Sequence, residues 1–362
     1  MEVKHTCLHD KHVALGALMT PFAGFDMPIQ YSNITDEHHA VRTACGVFDV
    51  SHMGEVIING PDAEKYVNYI FTNDIKDAPD GKVFYGMMCY EDGGTVDDLL
   101  VYKISSHCFF LVINAANIEK DVEWMLTQAL SFDIELDHAS ERFGQLAVQG
   151  PDSERIVENV LNLPCKDLTF YTCKTIDGSG EMLYLSRTGY TGEDGFEIYA
   201  SHAYIREAWD KLMEAGVKPC GLGCRDTLRF EVGLPLYGDE LSREISPIMA
   251  GLGFFVKFDK ETFIGKEALL KQKTEGVARK LVGIELADKA IPRHGYAVQK
   301  DGRQVGEVTT GYHCLSVDKS VCMALVEAAC APLGTELDIQ IRKKVFPGTV
   351  VKKKFYEKHY KK

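Results

Sequence analysis

The chain has 362 residues, 45% hydrophobic and 26% charged, with a formal net charge of −13. That length exceeds what one core comfortably holds and points to two or three domains. The acidic balance excludes a protein that grips nucleic acid through its phosphates.

The N-terminal stretch "MEVKHTCLHDKHVALGALMT" lacks the layout of a signal peptide, and no apolar run is long enough to span a membrane. Eleven cysteines are scattered with no C-x-x-C pair, which predicts a reduced, cytoplasmic protein. Cys220 and Cys224 lie closest together, but no histidine stands near them to complete a zinc site. Core packing is expected there, and no metal.

In chain order, residues 61–71 are the first clear helix, with Tyr66, Val67 and Ile70 on one face and Pro61 at its first position. Next comes "GTVDDLLVY" at 94–102, with two carboxylates at the start of an apolar strand. Successive strand side chains point to opposite faces, so Asp97 and Asp98 cannot serve the same surroundings. Either both are solvated turn residues, or one caps the Gly93-Gly94 turn while the other faces what Leu100 and Tyr102 face.

Residues 117–130 give a second helix and 151–161 a third, again opened by proline. The string G-P-D-x-E-x-x-V occurs in both "EVIINGPDAEKYV" and "GQLAVQGPDSERIV", ninety residues apart. It predicts an internal repeat of a strand-turn-helix unit. A fourth helix covers 203–215, with Gly216 as its cap.

Between the third and fourth helices, "SRTGYTGEDGFEIYA" reads as a constrained loop feeding a strand, with Phe196 and Ile198 on one face and Gly195, Glu197 and Tyr199 on the other. A glutamate among bulky apolar residues is costly to bury without a partner. Arg225, in "GLGCRDTLRFEVGLPLYGDEL", could supply one, fixing the carboxylate for two-point recognition of a flat N–H edge. A solvent-facing Glu197 and a surface Arg225 are the plainer alternatives.

A helix at "FIGKEALLKQK" marks a boundary, and beyond residue 275 short strands with an Asp301-Gly302 hairpin turn predict a separate β domain. Strands and helices do not alternate regularly, so the class is α+β. Rossmann and P-loop glycine patterns, H-E-x-x-H and G-x-S-x-G are all absent. The tail "VKKKFYEKHYKK" carries six lysines against one glutamate. It is either a solubilising end or a docking patch for an acidic partner.

"CGVFDVSHMGE", "DDLLVYK", "NAANIEKD", "RTGYTGEDGFEI", "GLGCRDTLRFEVGLPLYG", "FIGKEAL" and "VGEVTTG" occur in this order. As a set they resemble the aminomethyltransferase family, the T proteins of the glycine cleavage system, over essentially the whole chain. The resemblance implies an α+β, three-domain cloverleaf around a central folate cavity. Residues 1–258 would form the folate-binding region, as two interleaved α+β subdomains, and residues 275–362 the C-terminal β-barrel. It implies tetrahydrofolate as co-substrate, lipoylated H protein as partner, no metal, no membrane, and a monomer.

Residue by residue, the resemblance makes Asp98 the functional carboxylate, with Asp97 left to the turn. It gives the pterin edge to Glu197 with Arg225 beside it, where Cys224 replaces the family's usual alanine. Met53, Tyr85, Tyr102, Asn117 and Tyr190 would line the cavity, and Tyr360 would touch the ligand from the tail.

Three neighbouring readings differ in class. A folate-binding half of a flavin oxidase would follow a flavin domain, and this chain starts at the folate pattern. A folate protein of iron–sulfur assembly would carry K-G-C-Y-x-G-Q-E where this chain has "GLGCRDTLRFEVG". A folate-dependent demethylase acting on a small methylated amine or ether is the reading the sequence separates least.

Overall fold

The computed structural model describes residues 3–178 and 181–361; Lys362 of the basic tail lies outside them. Three bodies pack together. The first holds a six-stranded sheet in the order Cys173–Gly178, Glu181–Ser186, Gly195–Ala200, Gly144–Gln149, Gly46–Asp49, Lys218–Pro219. The second holds a five-stranded sheet in the order Val83–Cys89, Thr95–Ser105, Cys108–Ile113, Gly54–Asn59, Glu135–His138. The third is a closed six-stranded barrel, sealed where Arg279–Leu286 pairs with Lys344–Val351.

The first two bodies are interleaved, because Gly46–Asp49 crosses from the N-terminal segment to pair with Gly144–Gln149. Each sheet puts one face against two helices. Ser153–Asn159 and His202–Glu214 cover the first, where Trp209, Leu212 and Ile156 meet Phe196 and Ile198. Ala63–Ile70 and Ile118–Gln128 cover the second, where Tyr66, Val67 and Met125 meet Val96, Leu99 and Val101. The opposite faces meet each other through Tyr102, Phe110, Tyr184 and Tyr199. An isolated bridge between Lys82 and Thr172 ties the two units at equivalent points.

The repeat signalled by Gly-Pro-Asp is real in three dimensions. Gly60 and Gly150 share a positive φ, 134° and 128°, and a Cβ on either would sit 2.5 Å from a carbonyl oxygen, of Asp133 or Ala44. Only glycine tolerates that backbone and that approach. The prolines are not the first helical residues, however. The helices begin at Ala63 and Ser153, because the turn after each glycine takes up the proline and aspartate.

The fourth helix ends as its glycine predicts, with Gly216 at φ 76°. Helices at Ile34–Thr43 and Leu222–Glu231 went unread in the sequence, although Asn33 caps the former by accepting the Asp36 N–H at 2.8 Å. The Asp301-Gly302 turn is present with both residues at positive φ, 51° and 76°. It links Ala297–Lys300 to Arg303–Cys314 within the barrel.

Cys220 and Cys224 sit in a core cluster with Val41 and Leu228. The adjacent Glu37 carboxylate is taken up by the N–H groups of Tyr31, Ser32 and Gly221. Cysteine at 224 therefore fills core space rather than altering the cavity.

Candidate active site

A cavity of about 460 Å³ lies between the two sheets, the segment from Arg225 to Phe255 and the C-terminal tail. The barrel strands do not line it; that body contributes only through Lys358 and Tyr360, beyond its last strand. Its walls are largely aromatic and aliphatic, with Tyr85, Tyr171, Tyr190, Phe255, Leu234 and Leu236 among them. Asp98, Glu197, Arg225 and Lys358 supply its charged groups, and Asn114, Gln145 and Thr188 add neutral polar ones.

Asp98 enters from the Thr95–Ser105 strand on the face shared with Leu100. The Tyr85 hydroxyl donates to its Oδ2 at 2.9 Å and the Asn114 amide to its Oδ1 at 3.0 Å. Burial and then the neighbouring Asp97 charge push this carboxyl up to about 7, against the pull of those two donors. A carboxylate so placed exchanges a proton near neutral pH.

Asp97 takes the other face, as alternation requires, but it does not meet water. It is fully buried and accepts from the Asn114 backbone N–H at 2.9 Å, the Asn114 amide at 2.9 Å and the Asn117 amide at 2.6 Å. The turn is instead held by Asp92, which accepts the Gly94 N–H at 3.1 Å. The sequence misled because the helix that covers Asp97 comes twenty residues later. Asn117 accordingly sits behind the strand, binding Asp97 rather than lining the cavity.

Glu197 lies in Gly195–Ala200, flanked by core residues Phe196 and Ile198. The Thr188 hydroxyl donates to its Oε2 at 2.5 Å and the Gln145 amide to its Oε1 at 3.0 Å. Burial raises its proton affinity, while those bonds and the Arg225 charge oppose the rise. Each oxygen keeps acceptor capacity, so the group can still receive two parallel N–H donors.

The expected Glu197–Arg225 ion pair is not formed. The Arg225 guanidinium lies 4.6 Å over the Tyr190 ring and has no ion pair or hydrogen bond among the described residues. Burial lowers its proton affinity, yet an arginine stays charged. It is a cation open to a ligand. Tyr190 is held in turn by its hydroxyl, which donates to the Pro235 carbonyl.

Met53, Tyr85, Tyr190 and Tyr360 line the cavity as expected. Tyr102 does not. It is fully buried one layer back, 2.8 Å from the Tyr199 hydroxyl, which in turn receives the Gln145 amide at 3.1 Å. Tyr102 thus steadies the group that steadies Glu197.

Gln145, Thr188, Asn114 and Tyr199 were missed from sequence. Tyr199 alone had a signal there, sharing the Glu197 face by alternation. Gln145 becomes visible only through the pairing register, which sets it opposite Tyr199.

The tail closes one side of the cavity. Tyr360 stacks on Phe170 at 4.0 Å, and the His359 N–H donates to the Gly192 carbonyl at 2.8 Å. Its lysines are not a free basic patch. Lys353 is tied to the Ala250 carbonyl, Lys361 reaches Glu154 at 2.8 Å and Lys354 reaches Glu357 at 2.6 Å. Only Lys352 and Lys358 are exposed without an ion pair among the described residues.

Fold and cavity together suit one class of protein, enzymes that enclose a small molecule beside a carboxylate able to exchange a proton near neutral pH. Comparison with known proteins narrows the class. The GCVT N-terminal domain family matches residues 8–260, and the glycine cleavage T-protein C-terminal barrel domain family matches residues 279–357.

An aminomethyltransferase of Alkaliphilus oremlandii is 48% identical over 366 residues, covering 100% of each chain. One from Caldanaerobacter subterraneus is 48% identical, covering 99% of this chain and 98% of the relative. The crystal structure of glycine cleavage system aminomethyltransferase T from Bartonella henselae superposes with a TM-score of 0.95. It is 31% identical and covers 99% of this chain and 100% of that one. The chain belongs to the glycine cleavage T-protein family and is an aminomethyltransferase enzyme.

Proposed function

We propose that the protein transfers the methylene of an aminomethyl group, carried on the lipoyl arm of H protein, to tetrahydrofolate. The products are 5,10-methylenetetrahydrofolate, ammonia and the dihydrolipoyl carrier. The observation that carries this reading is the spatial division of labour. One carboxylate, Glu197, is fixed by neutral donors beside an open guanidinium, and a second, Asp98, has its proton affinity tuned to neutrality.

The cavity fits a reduced folate. Its volume of about 460 Å³ lies within the range of small-molecule sites. Glu197 would accept the paired N–H donors of the pterin edge, and Tyr190, Tyr85 and Met53 would pack on its ring faces. Tetrahydrofolate, when bound, supplies the nitrogen that accepts the one-carbon unit.

The remaining work belongs to this chain. Asp98 takes up the proton that nitrogen must lose, and its negative charge steadies positive charge developing beside it. Tyr85 and Asn114 aim the Asp98 carboxylate, and the aromatic walls with the tail keep bulk water from the transferred carbon.

Calorimetric titration with tetrahydrofolate tests the binding half. Glu197→Ala should weaken affinity by roughly 1.5–3 kcal/mol for each charge-assisted bond lost. Unchanged affinity would show that the pterin edge is read elsewhere.

A further inference from the structure

A third carboxyl group stands behind the pair already described. Asp121, in the first turn of Ile118–Gln128, is fully buried, and neither of its oxygens has a hydrogen-bond donor reaching it. The charged groups against it are the Asp97 carboxylate and the Lys120 ammonium, and two ionised carboxylates cannot share a hydrogen bond. Lys120 compensates Asp121 only in part. Its Nζ is 3.5 Å from Asp121 Oδ1, but it is bonded to the Val96 carbonyl and lies 3.2 Å from the Tyr237 hydroxyl.

Asp97 meanwhile already accepts from the Asn114 backbone N–H, the Asn114 amide and the Asn117 amide, and the same Asn114 amide bonds Asp98. The three carboxyls form one chain leading from the helix N-terminus to the cavity. The two sequence motifs that carry them, "DDLLVYK" and "NAANIEKD", thus meet in space.

We propose that Asp121 stands as a neutral acid whose proton is donated to Asp97, and that this bond positions the Asn114–Asp98 pair and sets the proton affinity of Asp98. It is a positioning residue, and its role rests on Asp98 being the group that takes up the substrate proton. Burial, then the Asp97 charge, push the Asp121 carboxyl up to about 11 against the pull of Lys120, the direction that its two unmet oxygens also indicate.

The charges facing the chain agree with this state. Lys120 and the Tyr237 hydroxyl adjoin Asp121 and Asp97, while the Tyr85 hydroxyl and, more distantly, Tyr190 face Asp98. With Asp121 neutral, one full negative charge remains beside Asp98 rather than two. A doubly charged support would drive the proton affinity of Asp98 far beyond neutrality.

Two substitutions separate positioning from mere structure. Asp121→Asn keeps a donor to Asp97, so the acid limb of the pH profile of kcat/KM should stay within about 0.2 pH unit of the parent. Asp121→Leu removes the donor, leaves the Asp97 charge less shared, and should move that limb to higher pH by about half a unit or more. An unmoved limb in Asp121→Leu, or equal shifts in both variants, overturns the proposal.

Infrared difference spectra at pH 9 need no activity and cover the case in which the leucine variant does not fold. The parent minus Asp121→Asn spectrum should show the carbonyl band of one protonated carboxylic acid, and its absence overturns the proposal. Failure of the underlying reading looks different, because Asp98→Asn would then retain turnover whatever Asp121 does.

Discussion

Asp98→Asn is expected to lower turnover by about 10²- to 10⁴-fold, the usual reach of a positioned proton acceptor. The amide keeps the shape of the carboxylate and can still receive the Tyr85 hydroxyl, so geometry survives while basicity is lost. In the parent, kcat/KM should rise through a pH of about 7, where Asp98 loses its proton. In Asp98→Asn that limb should vanish.

The same substitution should make the protein more stable at pH 8. The Asp98 carboxyl is raised from 3.8 to about 7 on folding. Between those values the native state holds a proton that the unfolded chain has released. Stability therefore falls as pH rises through that window, and the cost is complete above it. Removing the charge should recover roughly 1–3 kcal/mol at pH 8 and almost nothing at pH 3. Denaturant melts at the two pH values check the sign. Equal stability at pH 8 would mean that the native carboxylate carries no burial cost.

Arg229→Met should be the most destabilising single change near the site, by about 3–5 kcal/mol. Arg229 is fully buried on Leu222–Glu231. Its Nη1 donates to Glu240 at 2.7 Å and to the Leu234 carbonyl at 3.2 Å, while Nε donates to Asp226 at 2.7 Å. Glu240 in turn accepts the hydroxyls of Thr309 and Thr310 from the barrel.

The arginine therefore holds the loop carrying Leu234 and Leu236 and pins the helix bearing Arg225 to the barrel. Without it, Glu240 is left as a buried charge. Adding Glu240→Gln should return part of the loss, since it removes that uncompensated charge. A single-mutant loss below about 1 kcal/mol in urea melts would show that the network is dispensable.

Much of this was legible in the sequence because the strongest signals are local. Alternation put Asp97 and Asp98 on opposite faces and grouped Glu197 with Tyr199, away from Phe196 and Ile198. The Gly-Pro-Asp repeat marked the two related units, and Asp301-Gly302 marked a barrel hairpin.

What stayed hidden depends on distant partners. Nothing beside Asp97 in the chain announces Asn114, Asn117 or Asp121, so a solvated turn was the natural expectation for it. Arg225 was one candidate mate for Glu197, beside a plain surface position. The fold instead satisfies that carboxylate with Thr188 and Gln145 and leaves the guanidinium over Tyr190. The tail lysines were read as a patch, whereas three-dimensional neighbours such as Glu154 neutralise part of them.

On the proposed function, this cavity brings a carrier-bound aminomethyl group to tetrahydrofolate. That function is tested most directly by supplying purified enzyme and tetrahydrofolate with H protein bearing the aminomethylated lipoyl arm, and in parallel with free methylated amines or ethers. Ammonia and methylenetetrahydrofolate should appear in equal amounts with the carrier and fall to background with the small molecules. Equal or faster turnover of a free small molecule, with none from the carrier, would contradict the account and make the enzyme a folate-dependent demethylase.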